Sequence, residues 1–384
     1  CYATGTDYNT IRISAGSDVI LTGDIGDAHQ VKLDGGTTFT TNGYDIITNI
    51  VNHTGDDIFV TGGSELKFEH TYTGNGFGSS SGDLNADGFA GAAFENTGGG
   101  NHHLDSGASQ YNGASEMTVS GWYQFVNGGT YNTPISGSTP SDQYVTLWDI
   151  NGTSDGGLSV IGNSFLLLAN GGCFRYFSNT TPTPMADVLD GGWHHVVAYW
   201  DVNDSSTYRL FIDGVEQTGG GPVDNAGACG TVDASSHGGN TIIGSGGYGP
   251  FKGGIADVRF FTGDKTGDIA TLGAINPAIS EGNVYPDPSN ALGADHWYKL
   301  NETDDFAAGG ADSAGSDDLT KTGTDVKSGE ILITAANPGS NHWDGETNMS
   351  ITANHTTFEY MTRLMAGYGG SEVIEIINSK YIFT

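Results

Sequence analysis

The chain has 384 residues, 62 of which are glycine, and its 45 acidic and 13 basic side chains give a formal net charge of −32. This charge argues against nucleic acid and anionic membrane surfaces as partners, which are bound by clustered Lys and Arg, and no apolar run has the length of a membrane span. Because long helical patterns are absent and Gly-, Asn-, Asp- and Ser-rich turns are frequent, we predict an all-β fold.

Residues 1–75 form the first region. Short apolar runs alternate there with Gly-Asp, Gly-Gly and Asn-Gly turns at intervals of about 10 to 14 residues, which fits either a meander or a few coils of a β-solenoid. The repeats share no clear side-chain code, so both alternatives remain open. The predicted strands are 11–13, 19–21, 30–33, 44–47, 57–60 and 65–68.

A candidate calcium loop follows. Asp83, Asn85 and Asp87 place oxygen-bearing side chains at alternate positions before Gly88. Three such donors on one side of a tight turn can coordinate calcium, and the glycine permits the bend. The twelfth position of an EF-hand would be Phe94, and no helices flank the loop, so we predict a looser calcium loop, with an ordinary Asp-rich turn as the alternative. Calcium or salt would also relieve the self-repulsion of the chain, although acids that simply fill turns explain the charge equally well.

The segment 193–261 has the strongest strand pattern. Apolar residues alternate through 193–200 and again through 208–212, and the second run ends on Asp213-Gly214. Period-two alternation predicts strands with two distinct faces, and Asp-Gly between apolar runs is a strong hairpin signal. We interpret this segment as the middle of an antiparallel β-sandwich.

The same residues carry a family resemblance. The motifs W-H-H-V-V (193–197), Y-R-L-F-I-D-G (208–214) and F-K-G-G-I-A-D-V-R-F-F (251–261) follow G-F-A-G-A-A-F (88–94) and M-T-V-S-G-W (117–122). Together they resemble the laminin G-like, concanavalin A-like jelly-roll family in its pentraxin-related form. The resemblance covers roughly half of the chain and implies a jelly-roll sandwich. It implies no single function, because this fold serves lectins, adhesion modules, glycanases and virion proteins.

The tryptophans suggest a sugar site. Trp122 and Trp200 alternate with apolar residues and are predicted to lie in the core. Trp148 is followed by a polar turn, and an aromatic ring beside calcium-competent oxygens is typical of a sugar site. We therefore predict a glycan-binding rim made of Trp148, Asp149, Asn151 and Asp155.

Two of the three cysteines, Cys173 and Cys229, lie in loop-like settings of the sandwich region. Outside the cytosol a disulfide between them is as plausible as two free thiols, since sequence does not give the geometry. Cys1 then has no partner, and a processed or lipidated start is one interpretation of it.

Two histidine pairs, His102-His103 and His194-His195, invite a metal interpretation. Neighbouring residues of a strand point to opposite faces, so two adjacent imidazoles do not easily share one ion. We predict neither pair to be a metal site.

An unexpected segment follows the sandwich motifs. H-W-Y-K-L-N-E (296–302) and D-S-A-G-S-D-D-L (312–319) resemble the opening strand and acidic loop of the same family, yet here they come after its end. Either the sandwich is circularly permuted or a second copy begins. Too few residues remain for a second jelly roll, so we favour permutation.

The N- and C-terminal regions of the chain have similar patterns of short predicted strands. Residues 326–384 return to short strands like those of 1–75. We therefore predict a concanavalin A-like sandwich, residues 83–320, inserted in a second β-rich domain that the N- and C-terminal regions form together.

No catalytic signature is present. The E-x-D-x-x-E run of laminarinase-type relatives is missing, and Glu372 and Glu375 lie three apart, on opposite faces of a strand. No G-x-S-x-G elbow, phosphate loop or zinc spacing is found. We therefore expect a non-enzymatic protein of a cell surface, virion or other extracellular assembly that self-assembles or joins other surface proteins and displays a glycan-binding head. The alternatives are a stand-alone, calcium-dependent carbohydrate-binding module and, less favoured, a polysaccharide-degrading enzyme.

Overall fold

A computed structural model divides the chain into two compact units. Cys1–Phe89 and Gly329–Thr384 form one unit, and Ala90–Ser328 forms the other. The prediction of an all-β chain with a sandwich inserted between its terminal regions is confirmed. The residues that the structure describes are 10–52, 57–68, 84–94, 102–109, 114–125, 144–150, 157–161, 164–169, 173–177, 188, 190–201, 204–217, 223–224, 240–246, 249–335, 342–344, 351–359, 363–365, 374–377 and 379–382.

The terminal unit is a parallel β-solenoid, with strands numbered along the chain. In order across the sheet, its first sheet contains β1 (Thr10–Ile13), β3 (Ile25–Leu33), β5 (Ile46–Asn52), β7 (Glu65–Phe68), β25 (Ile331–Ala335), β28 (Thr356–Glu359) and β31 (Lys380–Ile382). Its second sheet contains β2 (Asp18–Ile20), β4 (Thr38–Thr40), β6 (Asp57–Thr61), β8 (Leu84–Asp87), β27 (Ile351–Asn354) and β30 (Ile374–Ile377). A short parallel pair contains β26 (His342–Asp344) and β29 (Arg363–Met365).

Apolar side chains fill the solenoid and corner side chains join its coils. Val31, Phe39 and Ile58 are at most 2 % exposed in the interior. At one corner the Asp45 amide donates to an Asp24 carboxylate oxygen (3.0 Å), and the Glu65 amide donates to Asp45 (2.8 Å), at spacings of 21 and 20 residues. In these two steps an acidic side chain therefore accepts the backbone amide of the next coil, a pattern that the sequence analysis did not identify.

The insert lies between two coils that are neighbours in the stack. The strands before it pair directly with the strands after it, β7 with β25 and β8 with β27. The Phe89 amide donates to the Gly329 carbonyl (2.9 Å), so the points at which the chain leaves and re-enters the solenoid are adjacent.

The insert is a two-sheet sandwich. In order across the sheet, one sheet contains β18 (Val215–Glu216), β17 (Asp204–Ile212), β16 (Trp193–Asp201), β11 (Glu116–Phe125), β21 (Gly253–Thr262), β9 (Ala92–Phe94) and β24 (Val326–Ser328), with β22 (His296–Tyr298) also pairing with β21. The other contains β19 (Val223–Asp224), β15 (Cys173–Phe177), β14 (Ser164–Ala169), β13 (Gly157–Ile161), β12 (Tyr144–Asp149), β20 (Asn240–Ile243), β10 (His103–Ser109) and β23 (Thr320–Thr322). The displaced segment 296–319 thus belongs to this sandwich rather than to a second copy.

The sandwich buries one face of its first sheet in the core and the other beneath a segment of its own chain. Between the sheets, the Trp148 and Trp200 rings stack at 5.3 Å. Trp122 (8 % exposed) and Trp200 (0 %) are buried, as predicted. Residues 264–295, which we call the cap, include a 3₁₀ turn (Thr266–Asp268), the helix α1 (Ile269–Leu272) and a second 3₁₀ turn (Glu281–Asn283). Cap side chains pack on the outer face of the sheet in two small clusters.

None of the helices in the described part of the chain is long and apolar enough to cross a membrane.

Candidate functional site

Several loops meet at one end of the first sandwich sheet. Because its strands are antiparallel, the end of β11, the start of β16 and the end of β17 lie side by side there. The residues at this end include a tryptophan, an amide and two carboxylates. We call them the Trp193 rim: Gln124, Asp190, Gly191, Gly192, Trp193, His194 and Asp213.

The indole and the amide of the rim lie on the same face of the sheet. Trp193 and Gln124 are register partners, and partners across an antiparallel pair point the same way. Both are partly exposed. The Gln124 amide donates to the Gly191 carbonyl (2.9 Å), and the Gly192 amide donates to an Asp190 carboxylate oxygen (2.6 Å), which fixes the turn before the indole.

The predicted Asp213-Gly214 hairpin forms the second turn of the rim. Both residues have positive φ, 50° and 79°, as a two-residue type I′ turn requires. One Asp213 carboxylate oxygen accepts the His195 amide (2.9 Å), and the other lies 2.7 Å from His194 Nδ1.

His194 joins the two turns. Its Nε2 lies 3.0 Å from an Asp190 carboxylate oxygen, while its Nδ1 contacts Asp213. Burial alone would lower the pKa of His194, but the hydrogen bonds to Asp213 and Asp190 outweigh it and raise that pKa above its ordinary value. The hydrogen bond from His194, followed by the one from Gly192, lowers the pKa of Asp190.

His195 lies on the covered face of the sheet. Its Nε2 is 2.8 Å from Ser120 Oγ, and Nδ1 has no hydrogen-bond partner among the described residues. Gly273 of the cap lies so close that a Cβ there would be 2.7 Å from Nδ1. A protonated Nδ1 would be a buried, unsatisfied donor, so Nε2 carries the proton and donates to Ser120. Burial lowers the pKa of His195 to about 4, which keeps the ring neutral.

A buried ion network holds the cap. Arg259 is 0 % exposed; its Nε donates to Asp257 (3.1 Å), its Nη1 lies 3.5 Å from Asp287, and its Nη2 donates to the Pro286 carbonyl. Asp257 also accepts the Trp297 indole N–H (2.6 Å), and the guanidinium lies 4.0 Å from the centre of the Trp297 ring. Burial raises the pKa of Asp257, an effect that Arg259 opposes.

The predicted glycan-binding residue Trp148 lies in the core, so this part of the prediction is wrong. Trp148 is 1 % exposed and lies between Trp200 and Phe260, and Asp149 is also 1 % exposed. An indole stacked inside the sandwich has no free face for a sugar ring. The other two predicted residues, Asn151 and Asp155, lie outside the described residues. Trp193, which is partly exposed at the start of β16, is a better candidate for an aromatic ring that stacks on a sugar.

Replacing Trp148 by alanine is therefore expected to lower the free energy of unfolding of the sandwich by about 3–5 kcal/mol. The change removes a fully packed indole and leaves a cavity between the sheets. Urea unfolding followed by circular dichroism measures the effect. A loss below about 1 kcal/mol would contradict the core position, since that is the range of ordinary surface substitutions.

The predicted calcium loop is a strand over the residues that the structure describes. Leu84–Asp87 is β8, which pairs with β6 and β27 inside the second solenoid sheet. Asp87 lies 3.5 Å from the Asn354 amide nitrogen, a donor and not a cation. The tight turn that would gather Asn85 and Asp87 around an ion is therefore not formed, and Asp83 lies outside the described residues. No group of three or more His, Cys, Asp or Glu side chains in the described part of the chain could hold a metal ion.

The predicted disulfide stays a prediction. Cys173 begins β15, and Cys229 and Cys1 lie outside the described residues.

The architecture defines the insert as a jelly-roll-type β-sandwich. Residues 97–268 match the laminin G-like family profile described as the concanavalin A-like lectin/glucanases superfamily, which confirms the predicted resemblance over this part of the chain. No curated protein matches the chain.

Solved structures with similar folds are remote from this chain. A Bacteroides ovatus protein assigned provisionally to carbohydrate binding is 17 % identical, with a TM-score of 0.37 over 64 % of this chain and 62 % of that one. Domains LG4-5 of the mouse laminin α1 chain are 14 % identical (TM-score 0.28; 44 % and 40 % covered). The binding domain of botulinum neurotoxin DC, solved with rat synaptotagmin II, is 13 % identical (TM-score 0.29; 50 % and 40 % covered). The chain thus spans less than two thirds of each, and we transfer no site residue from them.

Proposed function

We propose that the protein is a non-enzymatic component of an extracellular or virion surface assembly, in which the laminin G-like insert is a glycan-binding head and the solenoid is the body. The observation that carries this proposal is the insertion of one complete sandwich between neighbouring solenoid coils. A domain whose two ends leave a stack at one point can be displayed without interrupting it. The match of the head to a superfamily of lectins and glucanases supports a carbohydrate ligand.

The Trp193 rim is the proposed binding site. A partly exposed indole can stack on the apolar face of a sugar ring, and the Gln124 amide on the same face can bond hydroxyl groups. The exposed Asp190 carboxylate of the preceding turn is a further acceptor at this end of the sheet. Two glycine residues in the intervening turn leave the backbone open to a close approach. An aromatic ring for stacking, together with an amide and a carboxylate for hydrogen bonds, can bind a neutral glycan.

The polar groups beneath the cap favour a structural role for that face of the sheet. Ser120 accepts a hydrogen bond from His195 there, so this imidazole does not act as a base toward that hydroxyl. The Asp257 carboxylate on the same face is held by Arg259 and an indole N–H.

Replacing Trp193 by alanine is expected to lower glycan affinity about tenfold or more, because an aromatic anchor contributes about 1.4 kcal/mol or more to binding. Since the indole is only partly buried, the fold should persist. The first measurement is a glycan array with the full chain, followed by titration of the best ligand. Tyr176→Ala is the matched control, because it removes a partly exposed aromatic ring from the opposite sheet.

The same array tests the other parts of the proposal. Binding that survives EDTA would contradict a calcium-dependent module, and equal losses from both variants would contradict the Trp193 rim. Size-exclusion chromatography with light scattering tests the assembly role: a stable oligomer or fibre is expected, whereas a clean monomer that binds glycans favours the stand-alone module.

A further inference from the structure

The position of His194 between two carboxylates sets its protonation state. Both ring nitrogens lie within hydrogen-bond distance of a carboxylate oxygen, 2.7 Å from Asp213 and 3.0 Å from Asp190. Ionised carboxylates only accept, and a neutral imidazole donates from one nitrogen alone. Both bonds can therefore exist together only when the imidazole carries two protons.

We propose that His194 is a proton-operated clamp that holds the Asp190–Gly192 turn against the Asp213–Gly214 turn and so sets the geometry of the Trp193 rim. The Asp190–Gly192 turn directly precedes Trp193. Besides the bond to His194, this turn has two hydrogen bonds: the Gly192 backbone amide donates to the Asp190 carboxylate, and the Gln124 side-chain amide donates to the Gly191 carbonyl. Loss of one clamp bond therefore acts on the backbone that positions Trp193.

The groups around His194 fix the direction of the pH effect. Asp190 contacts it from the preceding turn, Asp213 from the β17–β18 hairpin, and β11 contributes its register partner Tyr123. Burial raises the pKa of Tyr123, so that phenol stays neutral. Because the pKa of His194 is raised on folding, the clamp contributes its full stability below the unfolded pKa and loses it as the pH rises through the folded pKa.

The bond to Asp190 is the one that opens. Each carboxylate also accepts one backbone amide, but Asp213 lies closer to His194, and the Asp190 side chain is more exposed, 62 % against 47 %. A neutral His194 keeps its Nδ1 proton toward Asp213 and turns a lone pair toward the Asp190 carboxylate. Those two acceptors repel one another, which releases the turn.

The test is an NMR titration of the full chain with hydrogen exchange. We expect the His194 imidazole to titrate above the ordinary histidine pKa. Across the same pH range, the Gly192 amide should lose several-fold protection from hydrogen exchange, after correction for the pH dependence of the intrinsic exchange rate. An ordinary or lowered pKa, or unchanged protection of Gly192, would overturn the clamp.

Asp190→Asn is the matched variant. An asparagine amide can donate to the neutral Nε2 and its oxygen can accept from the protonated one, so Gly192 protection should no longer change with pH. A persistent pH step in this variant would overturn the mechanism. His194→Gln should show the released turn at every pH.

The expected effect of the clamp on ligand binding rests on the proposed glycan site. The clamp and the glycan site are separate hypotheses, and each can be disproved without the other. We expect several-fold weaker glycan binding above the folded pKa than below it in the wild type. In Asp190→Asn, whatever its overall affinity, binding should not change with pH. Binding that is strong and independent of pH in the wild type overturns the coupling between clamp and site. Absence of glycan binding at every pH, with the Gly192 step intact, overturns the proposed function and leaves the clamp established.

Discussion

Replacing Arg259 by methionine is expected to lower the free energy of unfolding of the sandwich by about 3–5 kcal/mol, the cost of leaving one member of a buried ion pair unpaired. Asp257 is 2 % exposed, and the loss of Arg259 leaves its charge with one neutral donor, the Trp297 indole N–H. The Pro286 carbonyl loses its guanidinium donor at the same time. The cap should therefore loosen, because Arg259 joins it to the sheet.

Urea unfolding measures the loss, and hydrogen exchange locates it. Arg209→Met is the control: Arg209 makes a two-bonded ion pair with the exposed Glu216 and one hydrogen bond to Thr266 Oγ1 of the cap, so its loss should cost at most about 2 kcal/mol. Adding Asp257→Asn to Arg259→Met removes the stranded charge and should recover part of the stability. Equal effects of the two arginine changes would contradict the importance of the buried network.

Removal of residues 90–328 is expected to leave a folded solenoid. The Phe89 amide already bonds the Gly329 carbonyl, and the flanking coils pair through β7–β25 and β8–β27, so a short Gly-Ser link suffices to close the chain. The interior of the solenoid should be unchanged, because its core cluster contains no residue of the insert. The excised sandwich is likewise expected to fold from its own core.

Circular dichroism and urea unfolding of the three chains check this expectation. The full chain should show two transitions, each of which matches that of one separate unit. A solenoid that is unfolded or aggregated without its insert would contradict it.

The sequence was most informative where the pattern was local. Alternation through β16 and β17 and the Asp213-Gly214 turn gave the strands and the hairpin as observed, because side-chain period and turn chemistry are properties of a few adjacent residues. Burial of Trp122 and Trp200 followed from the same alternation.

The prediction for Trp148 was drawn from the polar residues that follow it, and these do not determine the face on which a strand residue lies. The pairing of β12 with β13 shifts between Thr146 and Trp148, and Leu147 and Trp148, although adjacent, both belong to the core cluster. Such a bulge breaks the period of two, so alternation would not have placed Trp148 correctly either.

The hydrogen bonds between the solenoid coils were missed for a different reason. Asp24 and Asp45 each accept the backbone amide of the next coil only because 21 and 20 residues separate acceptor from donor and the coils stack in register. Two occurrences at unequal spacing form no visible repeat in the sequence, so the pattern is clear only once the coils are built. The partners of His194 were hidden similarly: Asp213 lies 19 residues away and reaches it only when β16 and β17 pair.

The position of the insert also sets an order of events during synthesis. The strands that continue the stack after β7 and β8 lie beyond Ser328, so a growing chain must make the whole sandwich before the next coil exists. At roughly 5–20 residues per second this delay is on the order of ten to fifty seconds. During that interval the coils already made end in open strand edges, which are the parts of a sheet most prone to join another chain.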